Sequence, residues 1–297
     1  MKRFSIIFLL AVFLISACRN PSAGETDSAV LTSTTFLTDI TRNIAGDRLT
    51  VDSILPIGTD PHSYQPAPQD IAKIENSKLL IINGAGYEQF LATLIENNGD
   101  KKIIVEASAN IAARKVADGE HGVDPHMWLD PNLVITYVEN IRAALTQYDP
   151  AGAEIYKSNA EAYTAQLKEL DGWIKIQVEQ IPAGKRLLVT NHEALGYFAE
   201  RYGFEVTGSV IPSFSSNAAP SAQQMAGLID EINKLGVSAI FLDAADNDML
   251  ARQIAAETNV TVISDLHLES LTEGAPAATY IDMMKHNVSR IVEALKK

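Results

Sequence analysis

Two Asp-Pro-His segments, far apart in the chain, decide how this sequence is interpreted. Residues Asp124–Pro131 have the sequence DPHMWLDP, and residues Asp60–Pro66 have the sequence DPHSYQP. A residue that precedes proline is kept out of the helical region, so neither histidine is expected in the middle of a helix. Proline also narrows the freedom of each loop, which lowers the entropy cost of fixing a side chain. We therefore expect His62 and His126 to be held in stiffened loops, as parts of a preformed cation site.

The amino terminus has the features of a secretory signal. Two basic residues precede the apolar run Phe4–Ile15, and small residues lead to Cys18, the single cysteine of the chain. Such an order defines a signal peptide, and the run is shorter than the roughly 20 residues of a membrane span. Small residues before a cysteine resemble the lipobox of bacterial lipoproteins. We expect removal of residues 1–17, a lipid on Cys18 and a tether over residues 18–29. The alternative is a plain signal with an incidental cysteine.

Charge and length restrict the possible functions. The chain has 297 residues with 24 bases and 37 acids, and removal of the two bases in the signal leaves a net charge of −15. Nucleic-acid binding needs a basic face, so nucleic acid is not an expected partner. An acidic surface mildly favours cations. The mature length exceeds the usual size of a single core and therefore predicts two lobes. Because Cys18 is the single cysteine, no internal disulfide is expected.

The order of predicted elements supports a two-lobe α/β fold. Strands and helices alternate in both halves, which predicts two lobes with mostly parallel sheets. The first lobe is predicted over residues 30–149 and the second over residues 182–297. Between them, residues 150–181 carry a helical pattern without internal proline. The 30 residues from Gly152 to Ile181 would extend about 45 Å as a helix at 1.5 Å per residue, so we expect one long rigid helix that joins the lobes.

Four side chains are candidates for a metal site in the cleft between the lobes. His62, His192 and Asp265 each follow a predicted strand, and His126 precedes a predicted helix. In open parallel sheets, ligands bind outside the carboxyl ends of the strands. Three imidazoles and one carboxylate suit Zn²⁺, whereas Mn²⁺ prefers oxygen ligands.

Other interpretations of these and neighbouring residues remain open. Asp265 is also suited to capping the backbone after its strand. His121 and His267 are available as loose surface ligands. His286 lies at a helical position where a structural role is expected, and Trp128 is expected to pack rather than to contact a cation.

Six separate segments resemble the zinc- and manganese-binding solute-binding proteins of ABC importers. They agree in order and spacing over about Val30 to Lys297 and are Gly58–Tyr64, Asn83–Glu88, Asp124–Pro131, Asn191–Phe198, Pro220–Ser221 and Ser264–Asp265. The resemblance implies two α/β lobes joined by a rigid helix, a metal in the cleft and delivery of that metal to a membrane permease. The family's ligand positions fall on His62, His126, His192 and Asp265.

Two features bear on which metal the resemblance implies, and two further departures from the family pattern bear only on the partners of the ligands. Histidine at the third ligand position resembles zinc-type members, because manganese-type members often have Glu or Asp there. Some zinc members have a long His-rich loop before the second ligand, but here that loop is short and contains only His121. Ala219 stands where an acid is common, and Asp243 stands where Glu is commoner.

We expect an exported, lipid-anchored binding protein that faces the periplasm or the exterior and is not an enzyme. Its expected partners are the permease and, through Cys18, the lipid bilayer; we expect a monomer. Zn²⁺ is the expected metal, and a manganese-specific protein of the same family is the alternative. A secreted zinc hydrolase would need an open metal position, which Asp265 would close. A metal-stabilised surface adhesin is a third hypothesis, because fold does not fix function.

Overall fold

The computed structural model describes residues 30–93, 95, 103–114 and 122–297. The predicted signal of residues 1–17, the predicted lipidation site Cys18, the tether and His121 lie outside these residues. Within the described part of the chain, no helix has the length and apolar character needed to cross a membrane.

The amino-terminal lobe is built on a parallel four-stranded sheet in the order β2-β1-β3-β4. Its strands are β1 Val30–Thr32, β2 Val51–Ser53, β3 Leu79–Ile82 and β4 Ile103–Glu106. Its helices are α1 Thr35–Ala45, α2 Pro68–Asn76 and α3 Pro131–Tyr148. Asp130 caps α3 by accepting a hydrogen bond from the Asn132 amide at 2.8 Å, and Pro131 fits the first turn because the amide it lacks has no helical partner there. The second Asp-Pro step of Asp124–Pro131 therefore starts this helix.

The carboxyl-terminal lobe repeats the same strand order, as β6-β5-β7-β8, again all parallel. Its strands are β5 Leu187–Thr190, β6 Glu205–Ser209, β7 Ala239–Asp243 and β8 Thr261–Leu266. Four helices follow along the chain: α5 Gly196–Tyr202, α6 Ala222–Leu235, α7 Met249–Thr258 and α8 Tyr280–Leu295. Together with the first sheet, this confirms the predicted fold class of two α/β lobes with parallel sheets.

One long helix, α4, joins the lobes and spans Ala153–Val178. Its 26 residues extend about 39 Å at 1.5 Å per residue. A short 3₁₀ turn over Pro150–Gly152 precedes it. Apolar side chains recur every three or four residues on one face, from Tyr156 to Val178, and are buried. That face packs on α1 and α3 of the first lobe and on α5 and α8 of the second, so α4 is bound to both lobes along its length.

A single hydrophobic core runs through both lobes and contains the inner faces of both sheets. Trp128 is fully buried within it and stacks on Phe36, with ring centroids 4.5 Å apart. The Trp128 indole donates to the Leu268 carbonyl at 2.8 Å, and the Tyr280 hydroxyl donates to the Trp128 carbonyl at 2.6 Å. Trp128 thus joins the lobes by packing, as the sequence predicts. Smaller clusters cover the outer face of each sheet.

Candidate metal centre

Three imidazoles and one carboxylate converge at the carboxyl ends of the two sheets. Among the described residues, the potential ligand atoms of His62, His126, His192 and Glu269 all lie within 4.8 Å of one another. The Oε1 atom of Glu269 is 3.0 Å from His62 Nε2 and 3.3 Å from the Nε2 atoms of both His126 and His192. The side chains are 9%, 0%, 1% and 5% exposed in chain order, so the cluster is almost closed to solvent.

The first histidine, His62, follows β2 in a loop stabilised by its own Asp-Pro-His segment. Asp60 Oδ1 accepts a hydrogen bond from the His62 amide at 2.9 Å. The His62 ring lies edge-on to Tyr87, with ring centroids 5.7 Å apart. The short side-chain bond to the local backbone fixes the turn that directs the imidazole into the cleft.

His126 is held by the acid of the second Asp-Pro-His segment. Asp124 Oδ1 accepts from the His126 amide at 3.0 Å and lies 2.9 Å from Nδ1 of the same residue. Nδ1 donates its proton to Asp124. This hydrogen bond orients the ring so that the other nitrogen, Nε2, faces the cluster. Nε2 is buried and faces Glu269 Oε1 at 3.3 Å. Burial lowers the pKa of His126, but hydrogen bonds and charges from Asp124 and Glu269 outweigh it and raise the pKa to about 9.

A glycine-containing turn after β3 supports this second segment. The Asn83 side chain donates to the Pro125 carbonyl at 3.1 Å and accepts from the Tyr137 hydroxyl at 2.6 Å. Glu88 accepts from the Asn83 amide at 2.6 Å, and burial raises the pKa of Glu88 to about 7. Gly84 has φ +84°, and a Cβ there would lie 2.7 Å from the Glu106 carboxylate. The turn therefore needs glycine to bring Asn83 against the His126 loop.

His192 follows β5 directly, at the centre of the second sheet. The Thr190 hydroxyl donates to the His192 carbonyl at 2.6 Å, and the neighbouring Glu193 amide donates to the Ser213 carbonyl at 2.8 Å. The His192 ring centroid is 5.3 Å from those of both His62 and His126. The strand end thus places this imidazole between the two histidines of the other lobe.

Glu269 lies in the loop after β8, and Asp243 at the end of β7 anchors that loop. Asp243 accepts from the amides of Leu268 and Glu269, the second at 3.3 Å, and from the Ala245 amide at 2.8 Å. Burial and then the charge of Glu269 raise the pKa of Asp243 to about 7. For Glu269 itself, burial alone would raise the pKa, but the surrounding imidazoles hold it well below its usual range.

The structure corrects the sequence-based choice of Asp265 as the carboxylate. β8 continues to Leu266, so Asp265 lies within the strand, whereas the sequence analysis expected it to follow the strand. Its side chain is 51% exposed and pairs with Arg290 at 2.9 Å. The carboxylate that joins the histidines is that of Glu269. One feature of the sequence could have identified Glu269: it is the first acidic residue after Leu266, where β8 ends.

Among the described residues, His267 and His286 lie outside the cluster. The rings of His267 and His286 lie 5.3 Å apart, and His286 Nε2 is 2.7 Å from the Asp265 carbonyl oxygen. Burial and then the proximity of His286 lower the pKa of His267. His286 therefore has the structural role expected for it.

The fold and the site define a class of protein. A buried set of three imidazoles and one carboxylate, drawn equally from two α/β lobes, is suited to hold a divalent metal ion. The Nε2 atoms of all three histidines lie within 3.3 Å of Glu269 Oε1, so the four side chains face one shared point. The molecule is thus a two-lobed binding protein with a metal-binding cleft.

Comparisons with known proteins identify the family. Residues 30–294 match the family model described as "ZnuA: Zinc-uptake complex component A periplasmic". The "Manganese-binding lipoprotein MntA" of Halalkalibacterium halodurans is 36% identical over 299 residues, which cover 99% of this chain and 98% of that protein. The "Iron-binding protein YfeA" of Yersinia pestis is 33% identical over 98% of this chain and 96% of that protein.

A solved structure agrees with the sequence relatives. The periplasmic zinc binding protein TroA from Treponema pallidum superimposes with a TM-score of 0.83 at 27% identity, over 90% of this chain and 99% of that one. The chain therefore belongs to the ZnuA family, the metal-binding solute-binding proteins of ABC importers. It is an extracytoplasmic divalent-metal-binding protein of such an importer, and its family is one of binding proteins rather than enzymes.

Proposed function

We propose that this protein binds Zn²⁺ outside the cytoplasmic membrane and delivers it to an ABC permease. The proposed ligands are the Nε2 atoms of His62, His126 and His192 and the carboxylate of Glu269. The observation that carries the proposal is the convergence of these ligand atoms within 4.8 Å. A cluster this tight has the size of one metal coordination sphere.

The preference for zinc rests on the chemistry of the ligands. Three nitrogens and one carboxylate suit Zn²⁺, whereas Mn²⁺ favours carboxylate, carbonyl and water oxygens. At a given site of this kind Zn²⁺ also binds more tightly than Mn²⁺. The relatives are named for manganese, iron and zinc, so their names do not decide the metal. A manganese-specific protein is the alternative within the family.

The residues around the cluster prepare it for a cation. Asp60 and Asp124 fix the loops of His62 and His126, and Asp243 fixes the loop of Glu269. A cleft of about 270 Å³ reaches the site and is lined by His62, Tyr87 and Phe214 among others. Binding must displace the proton that the raised pKa of His126 favours, so metal uptake releases at least one proton.

Two other functions are less well supported by this geometry. A zinc hydrolase keeps one coordination position open for water, whereas four protein side chains converge here. If the metal were purely structural, the cleft that leads to the site would have no role.

We also propose that Cys18 carries the lipid anchor and that the protein acts as a monomer.

The decisive experiment is elemental analysis of the mature protein from cells grown with both metals, followed by competitive titration of the metal-free form. We expect about one equivalent of Zn²⁺, higher affinity for Zn²⁺ than for Mn²⁺, and a higher melting temperature on loading, because a ligand that binds only the native state stabilises it. Tighter binding of Mn²⁺ would favour the alternative. No stabilisation by any divalent metal would refute the proposal.

The anchor has its own test. Mass spectrometry of the membrane-extracted protein should show an amino-terminal diacylglycerol-modified Cys18, and Cys18→Ser should release the protein in soluble form. Recovery of Cys18→Ser in the membrane fraction to the same extent as wild type would argue against the anchor.

A further inference from the structure

Arg114 reaches the buried acid that holds His126. Arg114 Nη1 donates to Asp124 Oδ2 at 3.2 Å, and the Asp124 side chain is fully buried. The other oxygen, Oδ1, serves the amide and Nδ1 of His126. The two oxygens of Asp124 thus have separate partners, and among the described residues Arg114 is the only one that forms an ion pair with Oδ2. A buried carboxylate oxygen without a donor is costly, so loss of Arg114 would favour rotation of Asp124 away from His126.

The second lobe leaves a space for this ion pair at Gly196, the first residue of α5. A Cβ on Gly196 would overlap with the guanidinium group of Arg114 and would lie 2.8 Å from Asp124 Oδ2. Gly196 is buried, and the sequence places it four residues after His192. The backbone that follows one ligand therefore contacts the ion pair that supports another.

Tyr197, the next residue, closes the arrangement. Its hydroxyl donates to the Asp124 carbonyl at 3.1 Å and accepts from the Arg114 amide at 3.1 Å. The guanidinium carbon of Arg114 lies 5.8 Å from the centre of the Tyr197 ring, within the range of a cation–π contact. Both the backbone and the side chain of Arg114 are thus fixed by α5 of the opposite lobe.

We propose that Arg114 is a positioning residue that sets the metal affinity of the cleft through Asp124 and His126. Its side chain fits beside Asp124 only because Gly196 has no Cβ. Arg114 does not touch the metal. The inference rests on the proposed function, because it assigns His126 as a ligand. Removal of the direct partner of a metal ligand, here Asp124, changes affinity by about 10- to 100-fold. Arg114 acts on that partner, so we expect an effect at the lower end of this range.

The experiment compares Arg114→Gln, Arg114→Lys, Gly196→Ala and the double variant Gly196→Ala/Arg114→Gln. Arg142→Gln is the matched control for arginine, since Arg142 pairs with Glu139 on the surface of α3. Gly172→Ala is the control for glycine, because a Cβ there meets nothing within 4 Å. The measurements are the Kd for Zn²⁺, the rate of its release to a chelator, and the solvent exchange of the His126 Nδ1 proton followed by NMR in the metal-free protein.

We expect Arg114→Gln and Gly196→Ala each to raise the Kd about 10-fold and to accelerate release and Nδ1 proton exchange. Lysine should restore part of the affinity, because it retains a donor and a charge. The double variant should be no worse than the poorer single variant, since both remove the same contact. The controls should match wild type.

Three results would overturn the inference. These are an Arg114→Gln variant that matches Arg142→Gln in Kd and proton exchange, additive losses in the double variant, or a Gly196→Ala variant that matches Gly172→Ala. If Arg114→Gln does not fold, Gly196→Ala decides by the same criteria. Failure of the wild type to bind any metal would instead refute the proposed function, and the proton-exchange comparison in metal-free protein would still test the role of Arg114.

Discussion

The two lobes have the same strand order, yet they hold their candidate ligands in different ways. In the first lobe each histidine is fixed by the aspartate two residues before it, as in Asp60 with His62 and Asp124 with His126. In the second lobe the loop of Glu269 is bound across the cleft. The contacts are Gly58 amide to Ser270 hydroxyl at 2.7 Å, Leu271 amide to Thr35 hydroxyl at 2.9 Å, and Trp128 indole to Leu268 carbonyl at 2.8 Å. Local sequence therefore fixes the first pair of ligands, whereas the Glu269 loop is held by Asp243 of its own lobe and also by contacts that form only when the lobes dock.

The largest expected effect tests which carboxylate of the second lobe is the metal ligand. Glu269→Gln should weaken Zn²⁺ binding by more than the roughly 100-fold upper range for loss of an outer partner, because it removes a ligand and the negative charge among three imidazoles. Asp265→Asn is the matched control and should change the Kd little, because an exposed ion pair contributes little. Isothermal titration with a competing chelator measures both. The opposite ranking would restore Asp265 as the ligand.

The pH dependence of Zn²⁺ affinity tests the protonation of His126, one of the two histidines of the first lobe. Because the pKa of His126 is raised to about 9 in the metal-free protein, Zn²⁺ competes with a proton at neutral pH. Affinity should rise with pH by up to about tenfold per unit below pH 9.

Stability of the metal-free protein should change in the opposite direction. A group whose folded pKa of about 9 exceeds its ordinary pKa of 6.5 contributes stability that is complete below pH 6.5 and disappears as pH rises through 9. Melting curves with a chelator present test this, alongside Kd measurements over the same range. A Kd that does not change between pH 6 and 8 would contradict the assigned protonation of His126.

The anchor of the cross-lobe carboxylate is expected to matter next. Asp243→Asn leaves one acceptor oxygen for amides that now use two, so its NH2 group must face either the Ala245 amide or the amides of the Glu269 loop. We therefore expect about a 10-fold rise in Kd. Asp248→Asn is the control, since Asp248 pairs with Arg252 on the surface of α7. The same Kd for the two variants would mean that the N-lobe contacts suffice to hold the loop.

The smallest expected effect concerns the mouth of the cleft. The Ser216 hydroxyl donates to Asp60 Oδ2 at 2.8 Å, and the Asn217 side chain donates to the His62 carbonyl at 3.1 Å. Ser216→Ala removes one of these bonds between the lobes and should accelerate Zn²⁺ release roughly two- to tenfold, the range of one hydrogen bond. Ser289→Ala, in which a bond to the Lys285 carbonyl within α8 is lost, serves as control. Unchanged release in stopped-flow measurements would show that the Ser216 bond does not limit opening.

The same contrast explains how much could be predicted from sequence. Alternation of strands and helices predicted both sheets, because the caps and apolar patterns of elements such as α1, α3 and β3 are local. The Asp-Pro-His segments marked His62 and His126 for the same reason. Glu269 was missed because the length of β8 depends on pairing with β7, including a register shift between Phe241 and Asp243. Gly196 and Arg114 were missed as partners because their contact exists only after the lobes meet.

Tyr280, at the start of the last helix, has a consequence for the order in which the chain matures. Its hydroxyl bonds to Trp128 and its amide to Asp39 at 2.9 Å, so the interior of the first half is completed by residues made almost last. A nascent polypeptide that lacks this helix leaves an indole-bearing segment incompletely covered. We expect carboxyl-terminal truncations to be degraded during biogenesis even though every histidine of the cluster is still present.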